Sequence, residues 1–238
     1  KGALGPGQML AVDMKKGEMF RDGEIKDKLA AALPFSDWVG KINELDDALG
    51  SVTEKAIYSG GELRKRQIAA GYTIEELEQI LAPMAEDGKE TLASMGDDTP
   101  SAVLSKKYRL LSHFFRQNFS QVTNPPIDSL REFRVMSLKT RFGNLKNVLD
   151  ESSAQTEILV LDSPFVGNAQ WDELTRNFNA DLVTIDCTFE RGANALQDGL
   201  ARIRAEAEDA VRSGAGHIVL TDQAQGEDKI GMPMILAT

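Results

Sequence analysis

Three aspartates each follow an apolar run that reads as a strand: Asp162 after Leu159-Val160-Leu161, Asp186 after Val183-Thr184-Ile185, and Asp222 after Val219-Leu220-Thr221. At the carboxyl ends of parallel strands, three carboxylates could share a divalent cation and make the chain a stand-alone metal-assisted α/β enzyme. The plainer reading is structural, and it is the one preferred here. Aspartate after a strand commonly closes an Asx turn or caps the next helix, and Ser163-Pro164 behind Asp162 suits such a turn. No His or Glu accompanies the trio. Cys187, beside Asp186, has no partner base in sequence and reads as a small packed residue rather than a nucleophile. A second group is basic: Lys106, Arg109, His113 and Arg116 fall opposite Leu104, Tyr108, Leu111 and Phe115 on a helix read over Lys106 to Phe119. Such a row is either an anion or partner site or a solvated face, and a solvated face is the ordinary outcome.

These residues depend on the elements that carry them. Residues 8 to 20 read as two short extended runs around the turn Met14-Lys15-Lys16-Gly17. Glu24 to Ala32 reads as a helix that Pro34 stops. Glu62 to Ala70 is a run of helix formers closed by Gly71, whose freedom at positive φ suits a helix end. Thr73 and Glu76 have capping-box spacing, Ile74, Leu77, Ile80 and Leu81 share one face behind them, and Pro83 sits where a new first turn could begin. The Lys106 helix is capped by Ser105, and Phe114, Phe115 and Phe119 are expected in a core. Beyond the polar stretch Asp150 to Thr156 the pattern turns regular. Strands are expected at Ile158 to Leu161, Leu182 to Ile185 and His217 to Leu220, with helices at Ala169 to Asn177 and Asn194 to Arg212. Met234-Ile235-Leu236 reads as a fourth, truncated strand. The fold class is therefore α/β: a helical first half followed by a βαβαβ unit with a parallel sheet covered by helices.

Composition narrows the function. Against 27 Lys plus Arg stand 37 Asp plus Glu, a formal charge of −10 that argues against nucleic acid as a partner. No apolar run approaches the ~20 residues that span a bilayer, and no basic-then-apolar leader opens the chain, so a soluble, cytoplasmic protein without a membrane partner is expected. One cysteine excludes an internal disulfide and a cluster held by this chain's thiolates alone, and two histidines cannot form an HExxH zinc site. Neither GxxxxGK[ST] nor GxGxxG occurs. Lys1 in place of Met, and an apolar run at the other end, give the expectation of a piece cut from a longer chain.

The stretch from Gly71 to Phe142 carries an unusual series of blocks. Gly71-Tyr72-Thr73 and Leu81-Ala82-Pro83-Met84-Ala85 are followed by Ser94-Met95-Gly96 and Asp98-Thr99-Pro100. Then come Gln121-Val122-Thr123-Asn124-Pro125-Pro126-Ile127-Asp128 and Arg131-Glu132. This ordered set resembles the central domain of the glutamate synthase large chain. Gly5-Pro6-Gly7-Gln8-Met9 resembles the closing hairpin of that family's amidotransferase domain, and Leu161-Asp162-Ser163-Pro164 a later central-domain block. Two positions depart from the family pattern: Ala93 stands where Gly usually precedes Ser-Met-Gly, and Ser129 where Pro usually follows Ile-Asp.

The resemblance implies three regions: residues 1–23 as the tail of the amidotransferase domain, 24–150 as a mainly helical part of the central domain, and 151–238 as its α/β part. It implies a rudimentary, incomplete TIM-like barrel, truncated at its C-terminus. The family makes glutamate from glutamine and 2-oxoglutarate, passing ammonia through an internal tunnel to an FMN-bearing barrel with a 3Fe-4S cluster. The resemblance implies that this fragment is inactive alone, with no catalytic, metal or cofactor-binding residue of its own. FMN and the cluster belong to the parent enzyme. Its partners would be the amidotransferase and FMN-binding domains of the same chain. A pyridine-nucleotide-oxidising small subunit and ferredoxin both remain open as electron sources. By the same resemblance, Met95, Thr123 and Asn124 fall at the ammonia-tunnel wall.

Overall fold

The computed structural model describes residues 2–45, 56–88, 91, 100, 102–115, 127–143, 145–178 and 180–238. In chain order the elements begin with β1 (Leu10–Asp13), β2 (Glu18–Arg21), α1 (Asp22–Ala30), α2 (Phe35–Val39) and β3 (Asn43–Glu44). Next come α3 (Gly60–Ala69), α4 (Ile74–Glu76), a π turn (Leu77–Leu81), α5 (Ala82–Asp87), a 3-10 turn (Leu111–Phe114), α6 (Ser129–Val135) and β4 (Thr140–Phe142). After a second 3-10 turn (Ser153–Gln155) follow β5 (Leu159–Leu161), α7 (Asn168–Phe178), β6 (Leu182–Asp186), β7 (Thr188–Glu190), α8 (Ala195–Arg212), β8 (His217–Thr221), β9 (Lys229–Gly231) and α9 (Met234–Ala237). Two units share the chain, one built from residues 1–52 and 138–177, the other from 53–137 and 178–238.

In the first unit, β1 and β2 form the expected antiparallel hairpin, with Leu10 opposite Arg21 and Asp13 opposite Glu18. Asp13 makes the turn: its carboxylate accepts the amides of Lys15 at 2.9 Å and Lys16 at 3.1 Å, while Gly17 at φ 70° returns its own N–H to the Asp13 carbonyl. α1 follows, its first turn closed by Glu24 accepting the Arg21 amide at 2.7 Å, and Lys28 lies 4.5 Å over the Phe20 ring. Three short strands in the order β3-β5-β4 make the unit's second sheet, with β5 parallel to β3 and antiparallel to β4. All three β5 residues are buried, as befits a central strand, along with Leu45, Ala154, Ile158 and Leu174.

In the second unit, α3 ends as the sequence predicts. Tyr72 N–H reaches the Gln67 carbonyl at 2.8 Å and Gly71 N–H the Ile68 carbonyl at 3.0 Å, a Schellman ending with Gly71 at φ 80°. The Thr73–Glu76 capping box also forms, Glu76 accepting the Thr73 amide at 2.8 Å and Thr73 Oγ1 the Glu76 amide at 3.2 Å. Pro83 sits in the first turn of α5, as expected, but α5 is not a separate helix. The run from Ile74 to Asp87 is continuous, and Ala82 N–H bonds the Leu77 carbonyl five residues back. That wider turn accommodates a proline, which has no N–H and whose ring would crowd the carbonyl four residues earlier.

The second core lies around β6, α8 and β8. β6 and β8 pair in parallel, Leu182 with His217 through Asp186 with Thr221, and α8 crosses between them. Ile185, Cys187, Ile203 and Met232 are buried together, with Leu196, Leu200, Ala207, Ile218 and Leu220 packed against them. α8 shows the same Schellman ending, Ala215 N–H to the Ala210 carbonyl and Gly214 N–H to that of Val211. β7 and β9 add an antiparallel pair.

Three expectations are corrected. The βαβαβ unit is divided: β5 pairs with β3 and β4 rather than β6, leaving β6-α8-β8 as one parallel crossover, and no closed barrel forms among the described residues. Met234 to Ala237 is a helical turn behind Pro233, not a strand. The Lys106 helix is absent from residues 102–115, which form turns and the 3-10 segment, with Leu104 95% and Tyr108 70% exposed. Instead of capping a helix, Ser105 Oγ accepts the amide of Lys107 at 3.2 Å. Leu110 lies against the bare Cα of Gly71, where a Cβ would come within 2.7 Å of Leu110 Cγ. Phe114 and Phe115 are exposed rather than core, and Phe119 and Arg116 lie outside the described residues. Among the described residues no helix is long and apolar enough to cross a membrane.

Candidate functional site

The best-defined polar constellation in the second core is the corner where β6 hands over to β7. Cys187 changes partners there: its N–H donates to the Thr221 carbonyl at 2.7 Å, and its carbonyl accepts the Met232 N–H at 2.8 Å. Arg202, reaching across from α8, fixes the carbonyls on either side. Its Nη2 donates to Asp186 O at 2.7 Å and Thr188 O at 3.0 Å, and its Nη1 to the Glu206 carboxylate at 3.0 and 3.2 Å. A cavity of about 420 Å³ opens beside this corner, lined in part by Asp186, Thr188, Asp198, Arg202 and Lys229.

Asp186 holds its place by local bonding. Its Oδ1 accepts the Thr188 N–H at 3.0 Å, an Asx turn, and Oδ2 lies 3.7 Å from Lys229 Nζ. Burial works to raise its pKa, but bonds from Thr188 and the charges of Lys229 and Arg202 outweigh it and hold the carboxyl below the usual range. A carboxyl depressed in the folded state contributes stability that is present at neutral pH and lost as pH falls through its folded value. Asp186→Asn should therefore lower the urea midpoint at pH 7, and its difference from the parent chain should shrink as the pH is taken below about 4. A difference that stays constant down to pH 3 would show that the carboxylate charge contributes nothing.

The three aspartates do not act together. Asp162 belongs to the first unit, where it pairs with Lys139 at 2.9 Å, and Glu44 stands 3.6 Å from the same ammonium. That hydrogen bond and the two acidic charges raise the Lys139 ammonium above its ordinary value. In the second unit the Asp222 carbonyl accepts the Gln225 N–H at 2.9 Å. Among the described residues no three His, Cys, Asp or Glu side chains gather as a metal would need. Cys187 is fully buried, burial raises its thiol, and Sγ points to the Ile185 carbonyl at 3.7 Å, the geometry of a packed residue.

Met95, Thr123 and Asn124 lie outside the described residues. The basic row keeps Arg109 and His113 together but exchanges Lys106 for Lys107, which lines a common cavity with them. Sequence reading missed Arg202 and Lys229. Arg202 directly precedes the buried Ile203 on α8, so a place at the rim of that helix's apolar face was its available signal.

The order of the sequence blocks does more than this geometry to place the chain. The family model described as Glutamate synthase central domain matches residues 65–238. The chain belongs to this family. A second model, Glutamine amidotransferases class-II, matches residues 1–38, so the central-domain segment follows an amidotransferase-like segment in the same chain. The NADPH glutamate synthase large chain of Azospirillum brasilense is 54% identical over 243 residues, a match that covers all of this chain and 16% of that protein. Ferredoxin-dependent glutamate synthase 2 of a Synechocystis species is 37% identical, again over all of this chain and 16% of the relative. The NADH glutamate synthase of Saccharomyces cerevisiae is 35% identical over all of this chain and 12% of its own length. This glutamate synthase central-domain chain thus spans less than a fifth of the relatives it matches.

Proposed function

We propose that the chain is a connecting part of a glutamate synthase large chain, one that aligns an amidotransferase domain with an FMN-bearing domain and carries no reacting group itself. The observation that supports this most is the succession of two family matches, amidotransferase at residues 1–38 and central domain at 65–238. On this reading the parent forms glutamate from glutamine and 2-oxoglutarate in the cytoplasm, and residues 1–23, 24–150 and 151–238 are the amidotransferase tail, the helical part and the α/β part. The single β6-α8-β8 crossover is then a remnant of a barrel-like arrangement. The higher identity to the NADPH relative favours a pyridine-nucleotide-oxidising partner subunit over ferredoxin.

The cofactor chemistry resides elsewhere in the parent. An iron–sulfur cluster needs several thiolates, and this chain offers one cysteine, buried and packed among Ile185, Ile203 and Met232. The chain's own contribution is the ammonia passage. Asn124, preceding Pro125, is biased to an extended backbone, and Pro125 and Pro126 have no N–H to donate. Thr123 and Asn124 carbonyls then act as fixed acceptors for ammonia, and Met95 as an apolar wall that keeps water out.

The test is made in the full parent polypeptide with Met95→Trp and Thr123→Trp, each of which narrows the passage. Glutaminase activity should persist while glutamine-dependent glutamate formation falls about tenfold, equivalent to about 1.4 kcal/mol at the barrier, with ammonia appearing in the medium. Unchanged coupling of the two activities in both variants would remove the channel role.

A further inference from the structure

Between Asp98 and Asp128 the chain has no acidic residue, although it holds 37 in all, and the same interval carries Lys106, Lys107, Arg109 and Arg116. Cations elsewhere in the chain commonly have an acid: Lys26 with Asp22, Arg66 with Glu62, Arg131 with Asp128, Lys139 with Asp162, Arg212 with Glu208. The side chains of Lys107, Arg109 and His113 bond none of the described residues. All three line a cavity of about 320 Å³ together with the Ser105 hydroxyl and the apolar side chains of Val103 and Phe114, and no acid contributes to its described lining.

From this juxtaposition we propose that the Lys107–Arg109–His113 cavity is a binding site for a small organic dianion, a dicarboxylate or a phosphate ester with a short apolar body. In an acidic protein, a concave site whose cations have no acid among the described residues attracts anions by its local field, whereas the surrounding surface repels them. Arg109 supplies a planar fork of donors that matches a carboxylate or a phosphoryl group bidentately, and Lys107 adds a point charge. Ser105 and His113 add further donors, while Phe114 and Val103 offer apolar contact that inorganic ions would not use. The volume is at the small end of ligand cavities, which run from about 300 to 1,000 Å³, so it suits a compact metabolite better than a nucleotide. An adjoining cavity of about 410 Å³ shares the same three cations but also includes Glu75 and Glu76. Those carboxylates disfavour an anion on that side and direct it to the cavity whose described lining holds no acid.

The proposal is tested by titration calorimetry on the full parent polypeptide, with succinate and inorganic phosphate as separate probes. At least one should bind at a site that the variants below weaken, separate from any binding at the parent's 2-oxoglutarate and FMN sites, and the probe that does so distinguishes a dicarboxylate site from a phosphoryl site. The double variant Lys107→Gln/Arg109→Gln should weaken that binding at least about tenfold, while Lys106→Gln, outside the described lining, should leave it unchanged. Arg109→Lys keeps the charge but loses the fork, so it should weaken binding severalfold, and this result stands even if the double variant does not fold. If neither probe binds at a site that these variants affect, the proposal is overturned. Equal weakening by Lys106→Gln overturns it too, because that result describes a diffuse basic surface of the kind that meets an acidic macromolecule.

Discussion

Replacing Ile185 with Ala is expected to destabilise the second unit by about 2–5 kcal/mol, the range for removing a buried aliphatic side chain when the surroundings cannot fully close the gap. Ile185 is 1% exposed and sits on β6 among Cys187, Ile203 and Met232, beneath α8. Collapse into the space is constrained on two sides. The parallel pairing of Ile185 with Leu220 fixes the strand, and α8 is anchored at the same corner through Arg202. Ile185→Val removes one methylene and should cost only about 0.5–1.5 kcal/mol. The urea midpoint measures both, with amide exchange at β6 and β8 showing which elements open. An Ala variant within about 0.5 kcal/mol of the parent chain, as surface substitutions usually are, would mean that α8 does not pack on β6 as described.

Arg202→Ala is expected to lower stability by about 2 kcal/mol, because hydrogen bonds from a charged donor are worth about 1.5–3 kcal/mol and the side chain is partly open to water. The loss comes from the corner rather than from the ion pair. Two carbonyls, Asp186 O and Thr188 O, lose their shared donor at the point where Cys187 switches from β8 to the β9 side. Arg202→Lys keeps the charge but cannot reproduce the fork, and should recover less than half of the loss. Glu206→Gln, which touches only the outer end of the guanidinium, should stay within about 0.5 kcal/mol of the parent chain, as solvent-exposed pairs usually do. If Lys replaces Arg without loss, the two carbonyls do not depend on the fork. Exchange of the Cys187 and Met232 amides gives the local readout.

Features encoded by a few neighbouring residues are legible in the sequence itself. Asp13 with Gly17, Thr73 with Glu76, and Gly71 behind α3 each act over one turn, and each appears where the residue types demand it. The length and apolar face of α8 could be read for the same reason. Reading failed where a partner distant in sequence decides the outcome. The spacing of Leu104, Tyr108, Leu111 and Phe115 is helical, yet Leu110 is taken up by the glycine surface at Gly71, which periodicity does not register. β5 has the apolar run of an inner strand, but its neighbour β3 is only Asn43–Glu44, too short and polar to announce itself beforehand. The Met234 run was misread because Pro233 starts a helical turn as readily as it breaks a strand. At the candidate site, the aspartates were correctly suspected of turn duty at Asp186. Arg202 gains its role only when α8 folds against the β6–β7 corner, and Lys107 gains its place only because residues 102–115 turn instead of forming a helix.

The way the two units divide the chain limits how it can be dissected. Each is made from two separated stretches, with residues 53–137 interrupting the first unit and 138–177 interrupting the second. Neither can be released by cutting at one place, because any single cut leaves at least one fragment that holds parts of both. Ribosomal synthesis meets the same constraint, since β3 must wait for β5 while the intervening stretch emerges. Protease mapping and domain transplantation on this protein would therefore be guided by circular permutation or paired cuts rather than by a single linear boundary.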